Sequence, residues 1–231
     1  MDIRSFPTRL YVSDLDAPED FYAGWHECMP QERQARCSRF KFEADRKRCI
    51  MAYALLVHAI RDLGIKCADT IAIGEREDRK PYLCEIPVFF NISHAKERVA
   101  VAVSSDEVGC DVECKNTNAL SVAKRFFASR EYEFLRSLPN ERSRSEEFTR
   151  LWTMKESVIK CCGEGIRRNL NDFVCIDESG AAKEIITLPG IDASFYLREY
   201  EGESGYRYSV CAQNGSIENM IRRISLHQSG E

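Results

Sequence analysis

The stretch VGCDVECKN, residues Val108 to Asn116, decides the interpretation of the fold because it sets two acidic residues inside a predicted strand. The surrounding segment, RVAVAVSSDEVGCDVE, alternates valine and alanine with small or polar residues, as partly buried strands do. Residues two apart in a strand point to the same face, so Asp111 and Glu113 direct two carboxylates at one place. An arbitrary D-x-E is more often a solvent-facing pair. The alternative is a magnesium site, which Gly109 favours because it permits a close backbone approach.

Further strands and several helices are predicted on both sides of this stretch. The long segment EADRKRCIMAYALLVHAIRDLGI has an apolar face and a stop at Gly64, and it predicts an amphipathic helix. The other predicted helices cover about residues 17–39, SVAKRFFASREYEFLRSL and SEEFTRLWTMKESVIKCCG. The other predicted strands are RLYVSDL, PVFFNISHA, DFVCIDES, ASFYLREYE and YRYSVCAQN. The order of these helices and strands indicates an α+β fold in two loosely repeating halves, each with a mostly antiparallel sheet. The halves meet near residues 115–120, and the tail after Asn219 is expected to be loosely held.

Composition and charge narrow the class of protein. The chain has 231 residues, 44% hydrophobic and 30% charged, which is typical of a globular protein with a substantial core. Its net charge of -4 gives no global basic field for nucleic acid. Eleven cysteines, an odd count, lie mostly in apolar runs, and the first residues lack the apolar core of a signal peptide. We therefore expect a cytoplasmic protein with reduced thiols, no membrane span and no zinc site.

A second motif, LWTMKESVIKCCGEG, places three unlike side chains on one helical stripe. Trp152, Glu156 and Lys160 are spaced i, i+4, i+8. An exposed Glu–Lys pair, worth about 0.2–0.5 kcal/mol, is one interpretation. The tryptophan, which prefers burial, favours a wall that is half core and half cleft. Lys155 adds another cation one position away, and the glycines at 163 and 165 end the helix.

Two weaker signals occur in the first half. His94, with Ser93 beside it, follows the predicted strand PVFFNISHA, and a lone histidine is more often structural than functional. A solvated helix face or a phosphate site can each explain a cluster of basic residues, namely Arg33, Arg36, Arg46, Lys47 and Arg48.

Taken together and in this order, the motifs resemble the 4'-phosphopantetheinyl transferases of the Sfp type. That family has an N-I-S-H segment, a G-x-D-x-E strand and a W-x-x-K-E-(S/A)-x-x-K-x-x-G-x-G helix. The matching stretches here are FNISHA, VGCDVE and LWTMKESVIKCCGEGI. The resemblance extends from about Pro30 to Tyr208, and it is specific because three separated motifs coincide.

The resemblance implies a reaction and an architecture. The family moves the phosphopantetheine arm of coenzyme A to a serine of a carrier protein and releases adenosine 3',5'-bisphosphate. Its fold is a pseudo-dimer with the active site in the cleft between two similar halves, here 1–115 and 116–231. By similarity, Mg²⁺ on the pyrophosphate is held by Asp111, Glu113 and Glu156. The implied catalytic residues are Lys160, which neutralises developing charge, and Glu156, which acts as the base directly or through a metal-bound water.

The remaining coenzyme A contacts also follow from the resemblance. Ser93 and His94 match residues near the 3'-phosphate. Lys80 and Pro81 match a lysine–proline near the adenine, although Arg79 stands where glycine is usual. The full implied set of coenzyme A contacts is Arg33, Arg36, Arg48, Lys80, Pro81, Ser93, His94, Asp111, Lys155, Glu156 and Lys160.

The implied acceptor is an acyl, peptidyl or polyketide carrier domain, and a cleft formed within one chain implies a monomer. Two other functions remain open from the sequence. A magnesium-dependent phosphatase or nucleotidyl enzyme uses the same D-x-E but needs neither N-I-S-H nor the W-x-x-K-E helix. A non-catalytic module that binds coenzyme A or a carrier domain has no need to keep Asp111, Glu156 and Lys160 together.

Overall fold

The computed structural model describes residues 5–114 and 119–226, which form an α+β fold with mostly antiparallel sheets. The helices are α1 Glu19–Cys28, α2 Gln31–Ser38, α3 Glu43–Asp62, α4 Ala119–Phe126, α5 Ser129–Ser137 and α6 Glu141–Cys162. The strands are β1 Arg9–Asp14, β2 Ile73–Glu75, β3 Pro81–Leu83, β4 Phe89–Ala95, β5 Arg98–Ser104, β6 Val108–Cys114, β7 Ile185–Thr187, β8 Ser194–Glu201, β9 Tyr206–Ala212 and β10 Arg222–Arg223.

Two four-stranded sheets organise the molecule. The first has the order β10-β1-β5-β4 and the second the order β6-β9-β8-β7, while β2 and β3 form a separate hairpin. Every pairing is antiparallel except that of β1 with β10, which is parallel. Short turns join β4 to β5 and β5 to β6, so the strand with the acid pair passes directly from the first sheet to the second.

The alternation of side chains along the strands explains the layers. In β5, Val99, Val101 and Val103 pack with buried residues of α3, whereas Ala100 and Ala102 point the other way. That second face meets Cys110 and other residues of β6 and β9 in a separate apolar cluster. The two sheets therefore pack against each other, with α3 on the outer side of the first and α6 on the outer side of the second.

Gly109 sets the contact between β6 and α6. A Cβ at this position would lie 2.1 Å from the backbone oxygen of Ser157 and 2.3 Å from the backbone nitrogen of Cys161. Only glycine permits this approach, as the sequence predicted. The strand that carries Asp111 is thereby held directly against the helix that carries Lys160.

Hydrogen bonding places β6 in the sheet of the second half, although the sequence prediction counted it with the first. All seven of its residues, Val108 to Cys114, are paired with β9. The predicted division at 115/116 lies outside the described residues.

Two other expectations were wrong. DFVCIDES forms no strand, and it has only an isolated bridge between Ile176 and Ala182. Its backbone is used elsewhere, because the Phe173 carbonyl accepts from Lys155 and the Cys175 amide donates to Glu131. The tail after Asn219 is held rather than loose over residues 220–226, since β10 pairs with β1 through Arg222 and Arg223, and the rest of the tail lies outside the described residues.

Two negative expectations were also tested. No helix among the described residues is long and apolar enough to cross a membrane. All eleven cysteines are free thiols.

Candidate functional site

The centre of the site is an ion pair between β6 and α6. Lys160 Nζ donates to Asp111 Oδ1 over 2.6 Å, and Ser93 Oγ donates to the same oxygen over 2.7 Å. Asp111 is 3% exposed, and its other oxygen, Oδ2, is buried with no hydrogen-bond partner among the described residues. A buried, unpartnered carboxylate oxygen is costly, so this atom is a strong candidate for binding a ligand.

The N-I-S-H segment fixes the strand that carries Asp111. One edge of β6 pairs with β9, and at the other edge the amides of Cys110 and Val112 donate to side chains of β4. The Cys110 amide donates to Asn91 Oδ1 over 3.0 Å, and the Val112 amide donates to Ser93 Oγ over 3.3 Å. Asn91 therefore positions the acidic strand. Sequence reasoning assigned it no role, although its place in the motif was a signal.

Like charges surround Asp111. Burial, and then the neighbouring charges of Asp111 and Glu156, raise the pKa of Glu113 to about 7 despite the opposing effect of Lys160. Burial and the Asp111 charge also raise the pKa of Glu156 above its ordinary value. The pKa of Asp111 is raised by burial, which outweighs Lys160 and Ser93. Burial lowers the pKa of Lys160, but the charges around it, Asp111 first, more than offset this and raise it.

The helical stripe on α6 faces a large cavity, as its spacing predicted. Trp152, Glu156 and Lys160 all line a cavity of about 1050 Å³, to which Asp111 and Glu113 also contribute. The inner side of Trp152 packs in the core, with its ring centroid 5.8 Å from that of Phe148 and 6.2 Å from that of Phe127. We call the three carboxylates of this cavity, Asp111, Glu113 and Glu156, the acidic wall.

The lining of the large cavity also includes basic residues. Arg33, Arg36, Arg48 and His94 line it, and we call these four residues the basic wall. Arg33 Nε is buried without a hydrogen-bond partner in the described part of the chain, and its guanidinium lies 5.7 Å from the centre of the Tyr53 ring. Arg48 pairs with Asp45 over 2.6 Å and donates to the Lys96 carbonyl over 2.8 Å.

The basic wall includes a neutral imidazole and excludes two predicted cations. Burial and the nearby Arg48 charge lower the pKa of His94, so the ring is neutral at pH 7. Arg46 and Lys47, from the same sequence cluster, are engaged elsewhere: Arg46 donates to the Phe40 carbonyl, and Lys47 pairs with Glu19.

A smaller cavity of about 510 Å³ adjoins the large one. Trp152, Glu156 and Lys160 line both, and so do Arg79, Pro81 and Asn91. Phe126, Ile159 and Leu170 give the smaller cavity an apolar part.

Lys155 does not belong to the site, contrary to the sequence prediction. It is fully buried and lines neither cavity. Its ammonium pairs with Glu131 over 2.7 Å and donates to the carbonyls of Leu170 and Phe173. The ion pair and these two hydrogen bonds hold the ammonium in the core, away from both cavities.

Lys80 lines the smaller cavity, and its contact with the adenine stays a prediction. Its ammonium donates to Glu107 Oε2 over 2.6 Å and to the Cys161 carbonyl over 3.0 Å. The second bond satisfies a carbonyl in the last turn of α6, where a cation is favourable. Lys80 therefore ties the β2–β3 hairpin to α6, the helix that carries Trp152, Glu156 and Lys160. Pro81 lines both cavities.

The acidic wall is not by itself a complete metal centre. Across residues 5–114 and 119–226, no three side chains of the His, Cys, Asp or Glu type are grouped closely enough to hold a metal ion. Any cation bound here needs ligands from water or from a bound molecule in addition to the protein oxygens.

Comparison with known proteins agrees with the motifs. Residues 107–211 match the family model of the 4'-phosphopantetheinyl transferase superfamily, and residues 17–106 match the model of the 4'-phosphopantetheinyl transferase N-terminal region. The chain is 32% identical to a 4'-phosphopantetheinyl transferase of Bacillus pumilus, over 84% of this chain and 87% of the relative. It is also 32% identical to the transferase Sfp of Bacillus subtilis, over 85% and 88% of the two chains. A third relative, the transferase HetI of a Nostoc species, is 32% identical over 73% of each chain. The chain therefore belongs to the 4'-phosphopantetheinyl transferases, in the Sfp type that its motifs predicted, and is an enzyme of that class.

Proposed function

We propose that the chain transfers the 4'-phosphopantetheine arm of coenzyme A, with Mg²⁺, to a serine of an acyl, peptidyl or polyketide carrier domain. The products are the modified carrier and adenosine 3',5'-bisphosphate. The observation that carries the proposal is the large cavity, whose lining includes both the acidic wall and the basic wall. A polyanion that brings its own divalent cation satisfies both walls at once.

The basic wall suits the 3'-phosphate end of coenzyme A. Arg33 has a buried donor, Nε, with no partner among the residues described, and Arg36 is exposed, so both can pair with phosphate oxygens. The neutral ring of His94 can donate one hydrogen bond, and a bound phosphate would favour its protonation. Ser93 supports this end only indirectly, because its hydroxyl already donates to Asp111.

The acidic wall fits Mg²⁺. The ion prefers hard oxygen ligands, keeps several waters and commonly uses only one or two carboxylates together with substrate phosphates. Asp111 Oδ2 is a buried oxygen with no partner within residues 5–114 and 119–226, and Glu113 and Glu156 line the same cavity. When bound, the cation would offset the repulsion among the three carboxylates and polarise the pyrophosphate.

Two residues of α6 would act on the reacting groups. The raised pKa of Glu156 makes it a stronger base than an ordinary carboxylate, suited to take the proton of the carrier serine directly or through a water. Lys160 holds its proton firmly and points into the cavity, where it would neutralise charge developing on the pyrophosphate.

We also propose the pseudo-dimer with its site between two similar halves. The two sheets, each with one long outer helix, support that proposal.

The proposed setting is a cytoplasmic monomer. Eleven free thiols support a reducing compartment. Both walls of the large cavity come from one chain, which supports action as a monomer.

A direct transfer assay tests the proposal. The protein would be incubated with coenzyme A, Mg²⁺ and an apo carrier domain, and the carrier analysed by intact mass spectrometry. We expect the mass gain of one phosphopantetheine group, its loss when Mg²⁺ is chelated, and no gain on a carrier whose acceptor serine is alanine. Binding of coenzyme A without any carrier modification would instead identify a binding module. Release of inorganic phosphate from coenzyme A would identify a phosphatase.

A further inference from the structure

Arg79 occupies an unusual backbone conformation in the turn between β2 and β3. Its φ angle is +69°, in the left-handed region that favours glycine. The turn is otherwise well satisfied: the Arg79 amide donates to the Arg76 carbonyl over 2.9 Å, and the Lys80 amide donates to Asp78 Oδ1 over 2.9 Å. A glycine would fit this turn with less strain, so the arginine side chain is retained at a conformational cost.

The position of Arg79 suggests what its side chain does. It is exposed, and it lines both the large and the small cavity together with Trp152, Glu156 and Lys160. The basic wall, in contrast, lines only the large cavity. Asp111 and Glu113 also line only the large cavity, so what places Arg79 at the proposed pyrophosphate end is that it lines both cavities together with Glu156 and Lys160.

The positive charge of Arg79 is also free to pair with a bound anion. Within the described parts of the chain, no carboxylate lies at ion-pair distance from its guanidinium. The neighbouring Arg76 and Lys80 differ in this respect, because both pair with Glu107. A guanidinium without a partner at the junction of two cavities can form paired hydrogen bonds with phosphate oxygens.

We propose that Arg79 binds the pyrophosphate of coenzyme A, an inference that rests on the proposed function. The backbone of the turn and the binding of coenzyme A then favour different residues at position 79. Glycine is better for the backbone, and arginine is better for the anion.

The test is calorimetric titration with coenzyme A and with 3'-dephospho-coenzyme A, in Mg²⁺ and without a carrier. We expect Arg79→Gln to raise the Kd of both ligands about tenfold, the usual scale for losing one charged hydrogen-bonding contact. Arg79→Lys should recover part of that loss because it keeps the charge. Arg79→Gly should bind as weakly as Arg79→Gln and yet have an equal or higher Tm.

Ser204 provides the matched control. It also has a positive φ, +56°, and it lies in the loop between β8 and β9, outside both cavities. Ser204→Gly should raise the Tm without changing either Kd. This control separates relief of backbone strain from loss of a ligand contact.

Several outcomes would overturn the inference. Unchanged affinity in Arg79→Gln and Arg79→Gly would make Arg79 a tolerated turn residue. A loss that disappears with 3'-dephospho-coenzyme A would move the contact to the 3'-phosphate. A loss in Arg79→Lys as large as in Arg79→Gln would indicate stacking on the adenine. A wild-type protein that binds neither ligand would contradict the proposed function itself, whereas tight wild-type binding with unaffected variants contradicts only the role of Arg79.

Discussion

The acidic wall and the basic wall of the large cavity are built in different ways. The acidic wall is fixed by a backbone contact, because Gly109 allows β6 to touch α6 and so brings Asp111 close to Glu156. The basic wall consists of side chains on separate elements, and Arg48 is already balanced by Asp45. Buried like charges need tertiary packing to hold them together, whereas long basic side chains can reach a common ligand from separate elements. Changes in the acidic wall should therefore affect the chemical step, and changes in the basic wall should affect affinity.

The largest effect is expected at Asp111. Asp111→Ala removes the unpartnered buried oxygen and the partner of Lys160, so turnover and its Mg²⁺ dependence should both be lost while cooperative unfolding remains. Carrier modification at a series of Mg²⁺ concentrations, with a thermal melt, measures this. Near-native turnover at ordinary Mg²⁺ would show that Asp111 is not a ligand.

Glu156 and Lys160 should come next. Glu156→Gln should slow the chemical step by roughly 10²–10⁴, the usual scale for losing general acid–base help. Lys160→Ala should also slow it, with little change in carrier binding. Single-turnover rates measure both effects. Glu146→Gln, on the exposed face of the same helix, is the control and should leave the rate unchanged. Wild-type rates in both site variants would refute the mechanism.

A variant at Lys155 tests whether this lysine of α6 stabilises the fold, in contrast to Lys160 at the cavity. Lys155→Met leaves Glu131 buried without its ion-pair partner, which should lower the free energy of unfolding by about 3–5 kcal/mol. Urea denaturation gives the value. Arg136→Ala, which breaks the exposed pair with Glu133, should cost less than about 1 kcal/mol. A stable Lys155→Met protein that has lost affinity for coenzyme A would restore the residue to the site.

Gly109→Ala should damage the acidic wall through the backbone. The added Cβ meets backbone atoms of α6 rather than flexible side chains, so we expect a loss of about 1–3 kcal/mol in the free energy of unfolding, together with reduced turnover. Gly24→Ala is the matched control. Gly24 lies inside α1 with nothing within 4 Å of an added Cβ, so that variant should be slightly more stable. Equal stability of the two variants would contradict the close approach.

The smallest effect is expected at the basic wall. Removing the 3'-phosphate, with dephospho-coenzyme A as the ligand, should weaken binding more in the wild type than in His94→Ala. His26→Ala, in α1 and outside the cavity, should behave like the wild type. Equal losses in the wild type and His94→Ala would place His94 away from the phosphate.

Much of the site was predictable because it follows local periodicity. A period of two sets Asp111 and Glu113 on one face of a strand, and a period of 3.6 sets Trp152, Glu156 and Lys160 on one face of a helix. Both faces line the same cavity. Pattern reasoning also identified Gly109 as a point of close approach, and the structure confirms it.

The features that the sequence did not predict depend on partners that are distant along the chain. The role of Asn91 requires the amide of Cys110, a strand edge that β9 leaves unpaired. The failure of DFVCIDES to form a strand requires the buried pair of Lys155 and Glu131, which takes its backbone groups. No local propensity reports either arrangement.

The sequence by itself determined the family, because three motifs occur in the family's order. The strand and helix periods also determined which side chains share a face on β6 and on α6. Only the tertiary structure decided which lysine of α6 lines the cavity. Lys155 and Lys160 are both cations on the same helix, but Lys155 meets Glu131 of α5 in the core, whereas Lys160 meets Asp111 of β6 at the cavity. Burial of a charge is stable only beside a partner, and these partners are 24 and 49 residues away along the chain.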